Sequence, residues 1–130
     1  MSDGSVVLDA SALLALLQGE PGSDVVTDLL PGSVMSAVNL SEVIAKLTDH
    51  GLSLDEVHAV LDGLPIDVRS FDRDAAFATG ELRGMTRGAG LSLGDRACLA
   101  LAMRLELKAI TADRAWTSLG EEIAEVVMIR

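Results

Sequence analysis

The chain has 130 residues and a formal net charge of −10, with 49% apolar residues and only 2% aromatic ones. This length predicts one domain, residues 1–130, with an aliphatic core, and no apolar run reaches the ~18 residues that a membrane span needs. The acidity excludes nucleic-acid binding by bulk positive charge, and the single cysteine, Cys98, excludes an internal disulfide or a zinc–cysteine cluster.

Strand-like and helical segments alternate along the chain. Short runs rich in Val, Ile and Leu predict strands at 5–8, 34–38, 66–68, 108–111 and 126–129. Apolar residues at helical spacing, bounded by Ser, Asp, Gly and Pro, predict helices at 10–17, 23–30, 39–47, 53–64, 72–87, 93–106 and 114–119. This order predicts an α/β fold, a three-layer α/β/α sandwich with a central, mainly parallel sheet of four to five strands.

Four acidic residues stand where these elements begin or end. Asp9 and Asp113 close predicted strands, and Glu42 and Asp95 open predicted helices. In a parallel sheet covered by helices, such positions meet at the edge formed by the carboxyl ends of the strands. Four carboxylates in one pocket repel one another and need a divalent cation to neutralise them. The pattern therefore favours metal-assisted phosphate chemistry.

Each of these acids also has a purely structural explanation. Asp9 and Asp113 suit helix N-cap positions, and the other two acids complete capping-box patterns, Asn39-x-x-Glu42 and Ser92-x-x-Asp95. An acid near a helix N-terminus gains roughly 0.3–1 kcal/mol from the helix dipole. Spacing alone therefore leaves open whether these residues only cap helices or form a common site.

Two hydroxyl residues flank the predicted site. Ser11 lies two positions after Asp9, and Thr111 lies two positions before Asp113. Each is predicted to add a hydroxyl group to the pocket.

The segments around the four acids resemble a known family. They read VVLDASALLALL, SAVNLSEV, LSLGDRACLALAMRL and AITADRAW, in that order along the chain. Together they are similar to the PIN-domain ribonucleases, and in particular to the VapC toxins of bacterial type II toxin–antitoxin systems. The resemblance covers nearly the full chain.

The resemblance implies a metal-dependent endoribonuclease that hydrolyses RNA phosphodiester bonds as the toxin of a toxin–antitoxin pair, inhibiting translation or growth. It implies that Asp9, Glu42, Asp95 and Asp113 hold Mg²⁺ or Mn²⁺ and are the catalytic residues. Ser11 and Thr111 match small polar positions that line such sites. It also implies a homodimer and a cognate antitoxin, one of whose arginines would compete with the metal for the carboxylates.

Three basic residues lie near Asp95 in the sequence. Arg83, Arg87 and Arg96 flank the glycine-rich connection 88–94 that leads into Asp95, and they are predicted to contact the RNA phosphates. A solvated helix surface, paired with neighbouring acids, explains these arginines at least as well.

Two other classes of protein remain open from the residues alone. In a phosphoryl-transfer domain Asp9 would be the nucleophile, although a second aspartate is expected at position 11, where the chain has Ser11. In a non-enzymatic binding module the acids would only cap helices. The start of the chain, MSDGS, lacks the basic residues of a signal peptide, which predicts a cytoplasmic protein without membrane contact.

Overall fold

A five-stranded, fully parallel sheet forms the centre of the molecule in this computed structural model, which describes residues 5–120 and 122–130. The strands are β1 (Val6–Leu8), β2 (Ser33–Ser36), β3 (Ile66–Arg69), β4 (Lys108–Thr111) and β5 (Val126–Met128), in the order β3-β2-β1-β4-β5. Strand β1 pairs Val7 with Val34 of β2 and with Ala109 of β4. The central strand is fully buried because both of its faces are covered.

Helices cover both faces of this sheet. They are α1 (Ala10–Leu17), α2 (Ser23–Leu29), α3 (Ala37–Asp49), α4 (Leu54–Leu61), α5 (Arg73–Met85) and α6 (Leu93–Leu105). Short 3₁₀ turns follow α5 at Arg87–Ala89 and β4 at Arg114–Ser118. The three-layer α/β/α prediction is therefore confirmed, with five strands and strand positions within a few residues of those expected.

The alternation of β1 side chains divides the core into two halves. Val6 and Leu8 pack with residues of α1, α2, α3 and α4, whereas Val7 packs with residues of α5 and α6. Cys98 and Trp116 are buried in the second half, and Cys98 is a free cysteine.

Two local predictions were wrong. Helix α3 begins at Ala37, because Ser36 accepts a hydrogen bond from the Val38 amide at 3.2 Å and so provides the N-cap. Asn39 is therefore inside the helix and is not its cap, and Glu42 lies in the second turn.

The helix predicted at 93–106 is present as α6, but its buried face differs from the stripe of Leu93, Ala97, Leu101 and Leu105 that the helical spacing of its apolar residues predicts. The helix instead buries mainly small residues, Gly94, Ala97, Cys98, Leu99, Ala100 and Ala102. Leu93 remains 52% exposed. These small side chains allow α6 to lie close to the sheet. The spacing of large apolar residues alone does not reveal which face of the helix is buried in this way.

None of the helices in residues 5–120 and 122–130 has both the length and the apolarity that a bilayer span requires.

Candidate active site

A cleft of about 400 Å³ opens where the carboxyl ends of β1 and β4 meet the first turns of α1 and α6 and one face of α3 that runs from Asn39 to Asp49. The structure brings all four predicted acids to its walls, together with a fifth: Asp9, Glu42, Asp49, Asp95 and Asp113. One basic side chain, Lys46, also lines it. The convergence expected from strand ends and helix starts is therefore present.

Asp9 is the buried floor of this cleft. It is 4% exposed and follows β1, and its Oδ1 accepts a hydrogen bond from the Ala12 amide at 2.8 Å, which caps α1. Thr111 Oγ1 donates to Asp9 Oδ2 at 2.5 Å, and Ser11 Oγ donates to the same carboxylate at 2.8 Å. The two predicted hydroxyls thus hold the carboxylate of Asp9 in place.

The two hydroxyl groups are themselves oriented by the backbone. Ser11 Oγ accepts from the Ala112 amide at 2.9 Å, and Thr111 Oγ1 accepts from the Asp113 amide at 3.0 Å. Because each hydroxyl has one proton and each lies within hydrogen-bond distance of Asp9, both protons are directed at that carboxylate. The segment that follows β1 and the end of β4 are therefore joined in one polar network.

Glu42 is held from the side by Asn39. Asn39 Nδ2 donates to Glu42 Oε1 at 3.0 Å and to the carbonyl oxygen of Gly94 at 3.0 Å, so one amide links α3 to the start of α6. The Glu42 carboxylate lies directly over Gly94, where a Cβ atom would overlap it. A glycine at this position therefore makes room for Glu42.

Asp95 and Asp113 each cap the element that they begin. Asp95 Oδ2 accepts from the Ser92 amide at 3.0 Å and completes the predicted capping box. Asp113 is exposed, and its Oδ1 accepts from the Ala115 amide at 2.9 Å. The structural roles expected for Asp9, Asp95 and Asp113 are thus real, and they coexist with the shared cleft.

The electrostatics of the cleft disfavour additional negative charge. The pKa of Asp9 is raised from 3.8 to about 6, chiefly by burial and to a smaller extent by the negative charge of Asp95. The hydrogen bonds from Thr111, Ala12 and Ser11 lower this pKa but do not offset the burial. Burial also raises the pKa of the Cys98 thiol well above its usual range, and the charges of Asp9, Asp95 and Glu42 add to that effect. Within the described ranges, none of the four predicted acids forms an ion pair.

The acids line the same cleft, but their carboxylates do not meet at a single point. Across residues 5–120 and 122–130, no three His, Cys, Asp or Glu side chains stand close enough together to hold one ion. The reason is visible in their hydrogen bonds, since each acid is turned toward a donor of its own helix or turn. Ligation of one ion by three of them would require these side chains to turn away from their present hydrogen-bond donors.

The donor set nevertheless fits a hard divalent cation. Carboxylate oxygens are the preferred ligands of Mg²⁺ and Mn²⁺. A buried carboxylate with a raised pKa and no basic partner among the described residues is stabilised by a nearby cation. Asp9 is therefore suited to hold a divalent cation, together with Asp95 and Glu42 of the same cleft.

Three further residues at this site were missed by the sequence reasoning. Asn39, Lys46 and Asp49 share α3 with Glu42 and line the cleft. Their spacing of three, four and seven residues from Glu42 places them on the same helix face, and this spacing was the available signal.

The three predicted phosphate contacts occupy different environments. Arg83 and Arg87 are exposed at the end of α5 and in the following 3₁₀ turn. Arg96 is half-buried, and its Nη1 donates to the Thr79 carbonyl oxygen at 3.3 Å.

Comparison with known proteins defines the class of this fold and cleft. The family model of the PIN domain matches residues 6–122. Over 107 residues, the chain is 36% identical to Ribonuclease VapC42 of Mycobacterium tuberculosis and to VapC ribonuclease Mb2780c of Mycobacterium bovis. Each alignment covers 75% of this chain and 82% of the relative. The chain thus belongs to the VapC family of PIN-domain proteins.

Solved structures share the whole fold at low sequence identity. A toxin–antitoxin complex from Klebsiella pneumoniae matches with a TM-score of 0.75 at 19% identity, covering 96% of this chain and 98% of the other. DNA-bound VapBC from Salmonella typhimurium matches with a TM-score of 0.76 at 15% identity, covering 97% and 98%. These likenesses concern the fold alone.

Proposed function

We propose that this protein is a metal-dependent endoribonuclease that hydrolyses RNA phosphodiester bonds as the toxin of a toxin–antitoxin pair. One observation carries the proposal: Asp9, Glu42, Asp95 and Asp113 line the same cleft at the carboxyl edge of the sheet. Membership of the VapC family supports it, since the curated relatives are named ribonucleases.

In this proposal Asp9 and Asp95 are the direct ligands of Mg²⁺ or Mn²⁺. Asp9 is buried and fixed by hydroxyl groups on both sides, which gives it the most defined position of the four. Glu42 and Asp113 are more exposed, and they complete the coordination shell or orient the attacking water. Ser11 and Thr111 hold the Asp9 carboxylate toward the cleft. A divalent ion at such a site supplies, when bound, a water of lowered pKa and a positive charge that stabilises the leaving oxygen.

Binding of the RNA backbone requires positive charge outside this acidic cleft. We assign this role to Arg83, Arg87 and Arg96, as predicted from the sequence. The exposure of the first two supports the assignment, whereas the bond of Arg96 to Thr79 limits how far its side chain can reach.

A basic protein segment is the second partner of the proposed toxin. An arginine of the cognate antitoxin would enter the cleft and form charge-assisted hydrogen bonds with the carboxylates. Several structural relatives are themselves complexes of a toxin with its antitoxin. We further propose that residues 1–130 act as one cytoplasmic domain and that the protein is a homodimer, which sedimentation analysis would test.

The function is tested by incubating the purified protein with total RNA in the presence and absence of Mg²⁺ or Mn²⁺. Cleavage that requires the metal and disappears in Asp9→Asn is expected. Intact RNA under every metal condition would contradict the proposal. A phosphate group trapped covalently on Asp9 would instead favour the phosphoryl-transfer alternative.

A further inference from the structure

An apolar hollow lies beside the carboxylate cleft. It has a volume of about 490 Å³, and its walls include the apolar residues Val38, Phe71 and Leu93 and the serines Ser41 and Ser92. The metal chemistry proposed above uses none of these five side chains.

The hollow is continuous with the cleft on one side and reaches arginines on the other. Glu42 lines both the cleft and the hollow. Phe71 lines both the hollow and a small neighbouring cavity, whose wall includes Arg69 and Arg104. Carboxylates, an apolar hollow and two guanidinium groups therefore follow one another along one surface.

One large apolar side chain of this hollow, Leu93, is exposed, and a second, Phe71, is half-buried. Leu93 is the first residue of α6 and is 52% exposed, directly after Ser92, which caps the helix. Phe71 stands in the connection between β3 and α5, and in the part of the chain described it belongs to neither half of the core. Accessible apolar surface next to a charged cleft is characteristic of a binding site.

The order of carboxylates, apolar hollow and arginines along this surface matches the alternation of phosphates and bases in single-stranded RNA. Proteins bind unpaired bases by stacking them on aromatic rings, and they bind phosphates with arginine. We propose that the hollow takes one nucleobase next to the phosphate held at the carboxylate cleft, with the Phe71 ring against the face of the base. The Ser41 and Ser92 hydroxyls then face the edge of the base, and Arg69 and Arg104 face the next phosphate. This inference rests on the proposed ribonuclease function.

A hydrophobic side chain of the antitoxin is the competing occupant. Two features favour the base: hydroxyl groups among the apolar walls, which suit the polar edge of a base, and arginines beyond Phe71, which suit a phosphate. Arg69 Nε already donates to Asp67 Oδ2 at 2.9 Å on an exposed surface, where such a pair is weak and can be exchanged for a phosphate.

The test measures binding separately from cleavage. In the Asp9→Asn background, fluorescence anisotropy gives the dissociation constants of a short oligoadenylate and of an abasic ribose-phosphate chain of the same length. Phe71→Ala is expected to weaken oligoadenylate binding by roughly five- to a hundredfold, the range that follows from losing one base–aromatic stack. Binding of the abasic chain should not change, and Phe71→Trp should restore oligoadenylate binding.

Two matched controls exist in the chain. Phe77 is the other phenylalanine, 66% exposed on α5 and outside the hollow, so Phe77→Ala should leave oligoadenylate binding unchanged. Leu54 begins α4 after its own capping serine and is 63% exposed, as Leu93 begins α6. Leu93→Ala should therefore weaken oligoadenylate binding, and Leu54→Ala should not.

Three results would overturn the inference. In the first, Phe71→Ala and Leu93→Ala bind oligoadenylate as tightly as the parent protein. In the second, these variants bind the abasic chain more weakly, by the same factor as oligoadenylate. In the third, both variants bind RNA normally and are only no longer inhibited by the antitoxin. If the unmodified protein cleaves no RNA while the base-dependent loss is present, the proposed function fails and the base site stands.

Discussion

Asn39 Nδ2 donates to Glu42 Oε1 at 3.0 Å, and the same nitrogen donates to the carbonyl oxygen of Gly94 at 3.0 Å. Asn39 is 1% exposed, and its bond to Gly94 is buried, whereas its bond to the exposed Glu42 is only partly buried. One buried amide therefore fixes a cleft carboxylate and, at the same time, the distance between α3 and α6.

Replacement of Asn39 should weaken both the fold and the site. Asn39→Ala leaves the Gly94 carbonyl without this donor and should lower the free energy of unfolding by about 1–3 kcal/mol. Asn39→Asp should cost more, because a second carboxylate would face Glu42. Urea denaturation of the metal-free protein measures the effect. Thr48→Ala is the control, since the Thr48 hydroxyl donates only to Ala45 within α3. Equal stability of the Asn39 variants and this control would be inconsistent with the proposed link.

Gly94→Ala should separate stability from activity. A Cβ atom at Gly94 would displace the Glu42 carboxylate, which is the end of a flexible, exposed side chain and can move away at little cost. Alanine also has a higher helix propensity than glycine, by up to about 1 kcal/mol. We expect near-normal stability and a strong loss of RNA cleavage.

The matched control for this substitution is Gly80→Ala in α5. A Cβ atom there meets nothing within 4 Å, so stability should rise by up to about 1 kcal/mol with cleavage unchanged. Thermal denaturation and cleavage rates measure both properties. Normal cleavage by Gly94→Ala would show that the position of Glu42 does not matter.

The raised pKa of Asp9 predicts a pH-dependent stability. The folded-state pKa is about 6 and the unfolded value is 3.8, so the unfolded chain releases its proton first as the pH rises. Asp9 therefore destabilises the metal-free fold progressively between those two values, by about 3 kcal/mol in all, and the loss persists above them. Asp9→Asn removes this effect.

The test compares unfolding free energies of the wild-type protein and Asp9→Asn, without metal, from about pH 4 to about pH 8. The variant should gain stability relative to the wild type as the pH rises. If the difference in unfolding free energy between the two proteins is constant across this pH range, the pKa of Asp9 is not raised by burial.

Asp95→Asn should stabilise the metal-free protein while abolishing cleavage. The asparagine oxygen can still accept from the Ser92 amide, so the cap survives, and one negative charge leaves the cleft. Glu56→Gln is the control, because Glu56 completes the equivalent capping box with Ser53 on α4, away from the cleft. If both variants change the melting temperature alike, repulsion in the cleft is not the cause.

The sequence predicted which acids share a cleft better than it predicted the local geometry around them. Asp9 and Asp113 follow strands whose carboxyl ends lie at the same edge of a parallel sheet, and the pairing of β1 with β4 then brings them together. Glu42 was placed one turn too early, because Ser36 caps α3 from the end of β2 and the boundary depends on that one hydrogen bond. Strand ends are robust features, whereas helix starts depend on a single side chain.

Contacts between distant segments could not be predicted in this way. The bond from Asn39 to Gly94 joins residues 55 positions apart, and the contact of Glu42 with Gly94 depends on how closely α6 packs. Nothing in the local pattern of either segment specifies that distance. The small residues of α6 permit it, but their role is apparent only once the helix is seen against the sheet.

A titration of the wild-type protein with Mn²⁺, followed by calorimetry, tests the central claim most directly. Asp9→Asn is the test variant, and Asp72→Asn is the control, since Asp72 caps α5 through the Ala75 amide at 2.9 Å much as Asp9 caps α1. We expect the wild type and Asp72→Asn to bind Mn²⁺ alike and Asp9→Asn to lose that binding. Equal Mn²⁺ binding by all three proteins would contradict a metal site built on Asp9.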